Sequence, residues 1–402
     1  MKIYHVISSL APHAGGPTSM LLGLAKAQAQ SGNHVIIHTT NADLPKGVLD
    51  VSTNQPIDND GYTIWYHALE SPVAVCYSSH FAKLLKFEIT QFDILHIHGL
   101  YRFPVTYAAW LARQNKIPYI ISPHGALDPF LYKQSRFGKM AVPIKRLYER
   151  LFDIPNLNHA SAVHFTSQIE LERTQNLNIL SPGIIVPNGL DWEEYRELPA
   201  KGIFRKRLHL EEKIPLVLFL GRINFKKGLD LLIPAFAKLK ETIPLVHLAI
   251  VGPDNDGYIQ NVVRWCTDFN ILDAVTIVDA LEKDEVKQAY VDADVFVLPS
   301  YTENFGNTVI EALACGCPVV ISDQVAIWRE IQDSGAGLIV PLDVEKIAIA
   351  MQQILENPRL AKEMSDKGKK LIHEKFTWKI IETLFQKHYE EIIVLNNLSR
   401  KI

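Results

Sequence analysis

The chain has 402 residues, 48% of them hydrophobic and 21% charged. At roughly 150 residues per domain this favours two large domains or three small ones, and it excludes a single small module and a wholly disordered chain. Lys plus Arg is 41 against 44 for Asp plus Glu, a net charge of -3 that argues against a general polyanion binder, so nucleic acid is not an expected partner.

Cys76, Cys266, Cys315 and Cys317 are too few for a disulfide framework and suit a reducing cytosol. Cys315 and Cys317 form a C-x-C with no second Cys/His pair at zinc spacing, and read as small packing residues. No apolar run approaches the ~18 residues of a membrane helix. Lys2 and the run that follows imitate a signal peptide, but His5, Ser8 and Ser9 interrupt it and no A-x-A pattern follows. That run is read as a first strand.

Short β-branched runs alternate with helical patterns, as expected of βα units around parallel sheets. Strands are predicted at 2–7, 34–39, 62–67, 94–98, 119–122, 162–165 and 184–186. A first helix is predicted over 18–30, with Leu21, Leu24, Ala25 and Gln28 on one face and Gly32 as its stop. Punctuation then thickens at Ser181-Pro182-Gly183 and Pro187-Asn188-Gly189, which marks a linker. The alternation restarts with strands at 216–220, 247–251, 275–278, 295–298, 319–321 and 338–340, and a final helix is predicted over 379–394. Two doubly wound α/β domains would leave a cleft lined by loops at the carboxyl ends of their strands.

Four such loops carry chemistry, while the two common phosphate loops, G-x-G-x-x-G and G-x-x-x-x-G-K-[ST], are missing. Gly15-Gly16 between the first strand and first helix would let backbone approach a ligand, a weak signal alone. His124 ends a strand in Ser122-Pro123-His124-Gly125, where a structural histidine is the competing reading. His96 and His98 alternate on one strand and read as core or supporting residues rather than metal ligands.

Arg222 and Lys227, in Gly221-Arg222-Ile223-Asn224-Phe225-Lys226-Lys227-Gly228, are two cations in one strand-end loop and suit a diphosphate, unless the loop is only a solvated basic turn. Glu303 and Glu311 flank a helix expected to start near Gly306 to Thr308, whose first amides would hold negative charge. Carboxylates beside an anion site make sense if they accept from sugar hydroxyls; each could instead be an ordinary solvated acid near a helix start.

In this order, the glycine loop, strand-end histidine, G-R-x4-K-G and E-x7-E resemble the retaining glycosyltransferases of family four, along nearly the whole chain. The resemblance implies a GT-B fold: two Rossmann-like domains facing across a cleft, with a C-terminal helix crossing back after Phe376-Thr377-Trp378. The implied domains are 1–187, plus about 379–402, on the acceptor side, and 188–378 for the nucleotide sugar. It implies that Arg222 and Lys227 hold the diphosphate together with amides of Gly306, Asn307 and Thr308. Glu311 would accept from the ribose, Glu303 with the backbone of Asn304, Phe305 and Gly306 would hold the transferred sugar, and backbone near Ala280 and Leu281 would meet the base. Gly16 would close over the phosphates, and His124 would lie near the anomeric side.

The implied activity is transfer of a hexose, glucose by preference, from UDP-glucose to a saccharide or lipid-linked acceptor in cell-envelope or extracellular polysaccharide synthesis. The competing readings are a nucleotide-sugar epimerase or hydrolase, and a non-catalytic nucleotide-sugar-binding subunit. D-x-D triplets at Asp58/Asp60, Asp254/Asp256 and Asp292/Asp294 are scattered, so no metal or other cofactor is expected. Lys133, Arg136, Lys139, Lys145, Arg146 and Arg150 stand against Glu149 alone. They suit either a solvated face or peripheral contact with an anionic membrane on the cytoplasmic side.

Overall fold

The computed structural model describes residues 1–12, 15–44, 46–130, 145–254 and 257–399. The chain divides into two compact units, Met1–Gly189 with Trp378–Ile402, and Leu190–Thr377. In the first unit the strands are β1 Lys2–Ser9, β2 His34–Thr40, β3 Ala42–Asp43, β4 Gly47–Val48, β5 Pro56–Asn59, β6 Tyr62–His67, β7 Ile94–His98, β8 Tyr119–Ser122, β9 Ala162–Phe165 and β10 Gly183–Ile185. Eight form one sheet in the order β10-β9-β8-β7-β1-β2-β6-β5. Neighbours run parallel except β5, which is antiparallel to β6. Strands β7, β8 and β9 are buried at every position, as a sheet covered on both faces requires.

Strand β5 was not predicted. Its sequence, Pro56-Ile57-Asp58-Asn59, has no alternating pattern. Its signal lies in the next two residues: Asp60 (φ 50°) and Gly61 (φ 91°) both take positive φ, the two-residue hairpin geometry that favours Asp-Gly. Pro56 is tolerated because β5 is an edge strand.

Helix Gly16–Gln30 starts after Gly15 and buries Leu21, Leu24, Ala25 and Gln28. The terminal helix Trp378–Ser399 places Ile381, Phe385, Tyr389 and Ile392 in one core with Ile3, Leu24 and Ile37. Trp378, taken above as the end of the second domain, belongs with the first unit. Its indole fills the space left by two glycines: a Cβ would stand 2.3 Å from it at Gly23 and 2.5 Å at Gly189.

The second unit contains β11 Leu216–Leu220, β12 His247–Val251, β13 Val275–Val278, β14 Val295–Leu298, β15 Val319–Ser322 and β16 Gly337–Val340. All are parallel, in the order β13-β12-β11-β14-β15-β16. The order reverses direction at β11, so the loops after β11, β12 and β14 gather at the topological switch point where such sheets take ligands.

Gly23→Ala forces a methyl group into the Trp378 indole and should destabilise the first unit by about 1–3 kcal/mol. Thermal melting checks this, at about 2–4 °C lost per kcal/mol for a domain of this size. An unchanged melting temperature would show that the indole is not seated there.

Candidate functional site

The loop after β11 is positioned by backbone. Gly221 N–H donates to the Val251 carbonyl at 2.9 Å and Ile223 N–H to the Pro253 carbonyl at 3.0 Å. Ile223 is fully buried and anchors the loop, while Arg222 beside it is exposed. Asn224 caps a single 3-10 turn, Phe225–Lys227, by accepting from Lys226 N–H. Gly228 then takes φ 69° and opens helix Leu229–Thr242.

Two contacts lock this loop against the one after β14. A Cβ at Gly228 would lie 2.0 Å from the Pro299 carbonyl oxygen, so only glycine fits. Tyr301 N–H donates to the Lys226 carbonyl at 2.8 Å, and Tyr301 Oη to Asp230 Oδ2 at 2.7 Å. As a result the Lys227 ammonium donates to the Glu303 carboxylate. The pair is sheltered, with the side chains 13% and 22% exposed, so it is screened less than a surface ion pair. An ammonium has three donors, so Lys227 can hold Glu303 and a phosphate oxygen together.

Glu303 is fixed by its main chain as well. Its N–H donates to the Gln324 carbonyl at 3.2 Å, and its carbonyl accepts from Ala326 N–H at 3.1 Å. Phe305 points into the core, with its ring 5.9 Å from that of Phe376, so the 304–306 stretch offers backbone rather than an aromatic face. Gly306, φ 105°, precedes helix Asn307–Ala314 and supplies no side chain to cap it. Glu311 lies on that helix, its Oε2 accepting from Tyr290 Oη at 3.3 Å. Burial pushes its carboxyl up to about 7, against the lowering influence of the Tyr290 hydrogen bond and nearby Lys283. Ala280 and Leu281 follow β13, with Ala280 exposed and Leu281 packed on the core.

In the first unit Gly16 is the first residue of its helix. His124 adopts φ 51°, uncommon for a residue with a side chain and a mark of functional or strained positions. Glu170 holds this turn: its buried carboxylate accepts from Gly125 N–H at 2.8 Å and from Thr166 N–H at 2.7 Å. His124 Nε2 is 3.1 Å from His98 Nδ1. Burial, with His164 nearby, holds the His124 imidazole down at about 3, so it is neutral at physiological pH.

Structural duties account for both carboxylates of one acidic triplet and the first of another. Asp292 accepts from Gly202 N–H and Arg205 N–H, and Asp294 accepts from Arg205 Nη2 at 2.8 Å and Leu216 N–H at 2.7 Å. Asp254 accepts from Tyr258 N–H and Ile259 N–H ahead of helix Ile259–Asp268, while Asp256 lies outside the described residues. Lys133, Arg136 and Lys139 also lie outside them. Lys145 sits 4.4 Å from the Tyr101 ring centroid, and Leu147, Leu151 and Phe152 are exposed beside Arg146 and Arg150. Among the described residues no helix is long and apolar enough to cross a membrane.

Sequence reading missed Tyr290 beneath Glu311, Asp230 under Tyr301, and a buried polar network beneath His124. The histidines at alternate positions of β7, with His5 on the neighbouring β1, were the available signal for that network.

The family model for glycosyl transferases group 1 matches residues 201–371, and that for glycosyltransferase family 4 matches 14–194. The uncharacterized glycosyltransferase MJ1607 of Methanocaldococcus jannaschii is 24% identical, over 94% of this chain and 95% of its own length. The D-inositol 3-phosphate glycosyltransferase of Frankia alni is 27% identical, over 86% and 87%. Sucrose-phosphate synthase from Thermosynechococcus elongatus superposes with a TM-score of 0.77 at 22% identity, covering 98% of this chain and 100% of that one. Anabaena HepE in complex with UDP-glucose does so with 0.75 at 17% identity, covering 97% and 100%. These structures share the fold of two Rossmann-like domains.

The Glu311 carboxyl should titrate in a carbon-13 NMR experiment with a midpoint near 7. Tyr290→Phe removes a hydrogen bond that favours the charged form and should raise the midpoint further. An ordinary midpoint near ~4.3 in the wild type would show that the carboxyl is solvated.

Proposed function

This chain belongs to the group 1, family 4 glycosyltransferases, enzymes that transfer sugar from a nucleotide sugar, and we propose that it transfers glucose from UDP-glucose to a saccharide or lipid-linked acceptor. The observation that carries the site assignment is the Lys227–Glu303 contact beside the glycine-capped start of helix Asn307–Ala314.

Breaking the bond between the anomeric carbon and the diphosphate leaves growing negative charge on the leaving nucleotide. Fixed cations and helix amides stabilise that charge more in the transition state than in the ground state. Lys227 and Arg222 supply the cations in our reading, with amides of Gly306, Asn307 and Thr308 beside them. Glu303 takes hydroxyls of the transferred sugar, helped by backbone at Asn304 and Phe305. Glu311 takes the ribose hydroxyls, and Ala280 and Leu281 meet the base. Gly16 supplies close backbone approach to the phosphates, and His124 contacts the sugar. Attack occurs on the face the diphosphate leaves, with retention of configuration and without a metal, because the two cations neutralise the leaving group. UDP as the nucleotide is favoured by Anabaena HepE, which shares this fold and binds UDP and UDP-glucose in its complexes.

We place the reaction at the cytoplasmic face of a membrane, in cell-envelope or extracellular polysaccharide synthesis. Exposed Leu147, Leu151 and Phe152 beside Arg146 and Arg150 give the first unit the makings of an interfacial contact. Sedimentation with anionic vesicles, and not with neutral ones, should be weakened by Leu147→Glu with Leu151→Glu. Equal binding by the double variant would refute this contact.

UDP-glucose should raise the melting temperature more than GDP-mannose or ADP-glucose does, because a ligand that binds the native state stabilises it. Lys227→Ala should lower kcat by roughly 10²- to 10³-fold through lost transition-state charge stabilisation, and Glu303→Ala by about as much through lost positioning of the sugar, both with unchanged circular dichroism. EDTA should alter neither result. Free glucose or an epimer as the product without acceptor would favour the hydrolase or epimerase reading, and ligand binding with no turnover the non-catalytic one. Folded variants that keep full turnover would sink the site assignment.

A further inference from the structure

A continuous hydrogen-bonded chain runs through the first unit and ends on His124. It begins at the Val186 carbonyl, 2.8 Å from His164 Nε2, and passes from His164 Nδ1 to Ser122 Oγ at 2.7 Å. Ser122 Oγ meets His96 Nε2 at 2.6 Å, and His96 Nδ1 meets Tyr389 Oη at 2.6 Å. Gln28 joins Tyr389 Oη at 3.3 Å to His5 Nε2 at 2.8 Å. His5 Nδ1 then meets His98 Nε2 at 3.0 Å, and His98 Nδ1 meets His124 Nε2 at 3.1 Å. Every member before His124 is buried.

The donors follow by elimination. A backbone carbonyl only accepts, so His164 must carry its proton on Nε2. A neutral His164 then accepts at Nδ1, which commits the single Ser122 proton to it and makes His96 donate from Nε2. His96 accepts at Nδ1 from Tyr389, so Gln28 must turn its NH2 to Tyr389 and its carbonyl to His5. His5 and His98 each donate from Nε2 and accept at Nδ1, and His124 donates from Nε2. The premise of neutrality fits the surroundings, since burial holds His5 and His164 down at about 4 and lowers His96 and His98 strongly. His5, His96 and His98 are close enough to suggest a metal cluster, but both ring nitrogens of each already serve in the chain.

We propose that this chain is a positioning device for His124: the Val186 carbonyl fixes every histidine along it as the Nε2–H tautomer, so His124 presents a bare Nδ1 lone pair to a hydroxyl of the transferred sugar. The residues behind His124 act through it and touch no substrate. The ligand named here rests on the reading of His124 as a sugar-contacting residue, whereas the tautomer does not.

The test is two-bond proton–nitrogen NMR on protein labelled with nitrogen-15 histidine, with resonances assigned by single substitutions. The wild type should show His5, His96, His98, His124 and His164 all protonated on Nε2. Tyr389→Phe and Ser122→Ala each cut the chain while leaving its bulk in place, and each should convert His124 to a mixture of tautomers. In Tyr389→Phe, His96 and His164 should keep theirs. His98→Gln has both a donor and an acceptor and should preserve the His124 tautomer, which His98→Leu should lose. The kcat of Tyr389→Phe should fall roughly three- to tenfold, the loss of one hydrogen bond's directionality. A wild-type His124 protonated on Nδ1, or one whose tautomer ignores both cuts, overturns the proposal. UDP-glucose, and not UDP, should shift His124 Nδ1. Failure of that shift alone, with the tautomers as stated, would remove the sugar-contact reading and leave the chain standing.

Discussion

The Pro299 carbonyl oxygen lies where a side chain on Gly228 would have to begin, 2.0 Å from an ideal Cβ, and the placement of the charged loops follows from that approach. The same closeness recurs between Gly252 and the Gly221 carbonyl, also at 2.0 Å. Parallel strands deliver their following loops to one edge of a sheet, but strand spacing alone would leave those loops free to splay. Glycine at these points lets backbone pack on backbone. Lys227 thereby reaches Glu303, and Tyr301 closes on both Lys226 and Asp230. In the proposed reaction such rigid support would leave the charges already in place, with no reorganisation needed as the leaving group departs.

Within that frame the two carboxylates differ because their surroundings differ. Glu303 lies against an ammonium, which offsets the cost of its partial burial. Glu311 has a phenol for its nearest partner and is desolvated, so its proton is held up to about 7. A ribose offering two hydroxyl donors would supply what the carboxylate lacks. The two acids near this helix start thus differ in their partners, one facing an ammonium and the other a phenol.

The first unit solves a different problem: a run of imidazoles lies inside an apolar sandwich. Unpaired polar groups there would cost on the order of 1–3 kcal/mol each, and the run is tolerated because both ring nitrogens of His5, His96, His98 and His164 find partners. The terminal helix is indispensable to this arrangement. Phe385 and Ile381 fill the core while Tyr389, one turn on, supplies the hydroxyl that joins His96 to Gln28. A helix from the far end of the chain therefore completes both the packing and the polar interior of the unit.

Much of this was legible in the residues themselves. Strands β6 to β9 and β11 to β14 lie at the predicted positions; β11 and β14 are the plainest cases, because buried parallel strands read as short unbroken apolar runs. The placement of Gly16, His124, Arg222, Lys227, Glu303 and Glu311 at strand ends or helix starts was readable for the same reason, since punctuation marks where a strand stops. Strand β5 was not, as an edge strand need bury little and its signal was only the Asp60-Gly61 turn. The pairing of Lys227 with Glu303 spans 76 residues, and the contact of Gln28 with Tyr389 spans 361. Local pattern determines which residues begin and end each element; which of them meet, which carboxyl loses its water and which ring nitrogen carries a proton are decided only when distant elements pack, because burial and hydrogen-bond partnership are properties of the folded neighbourhood.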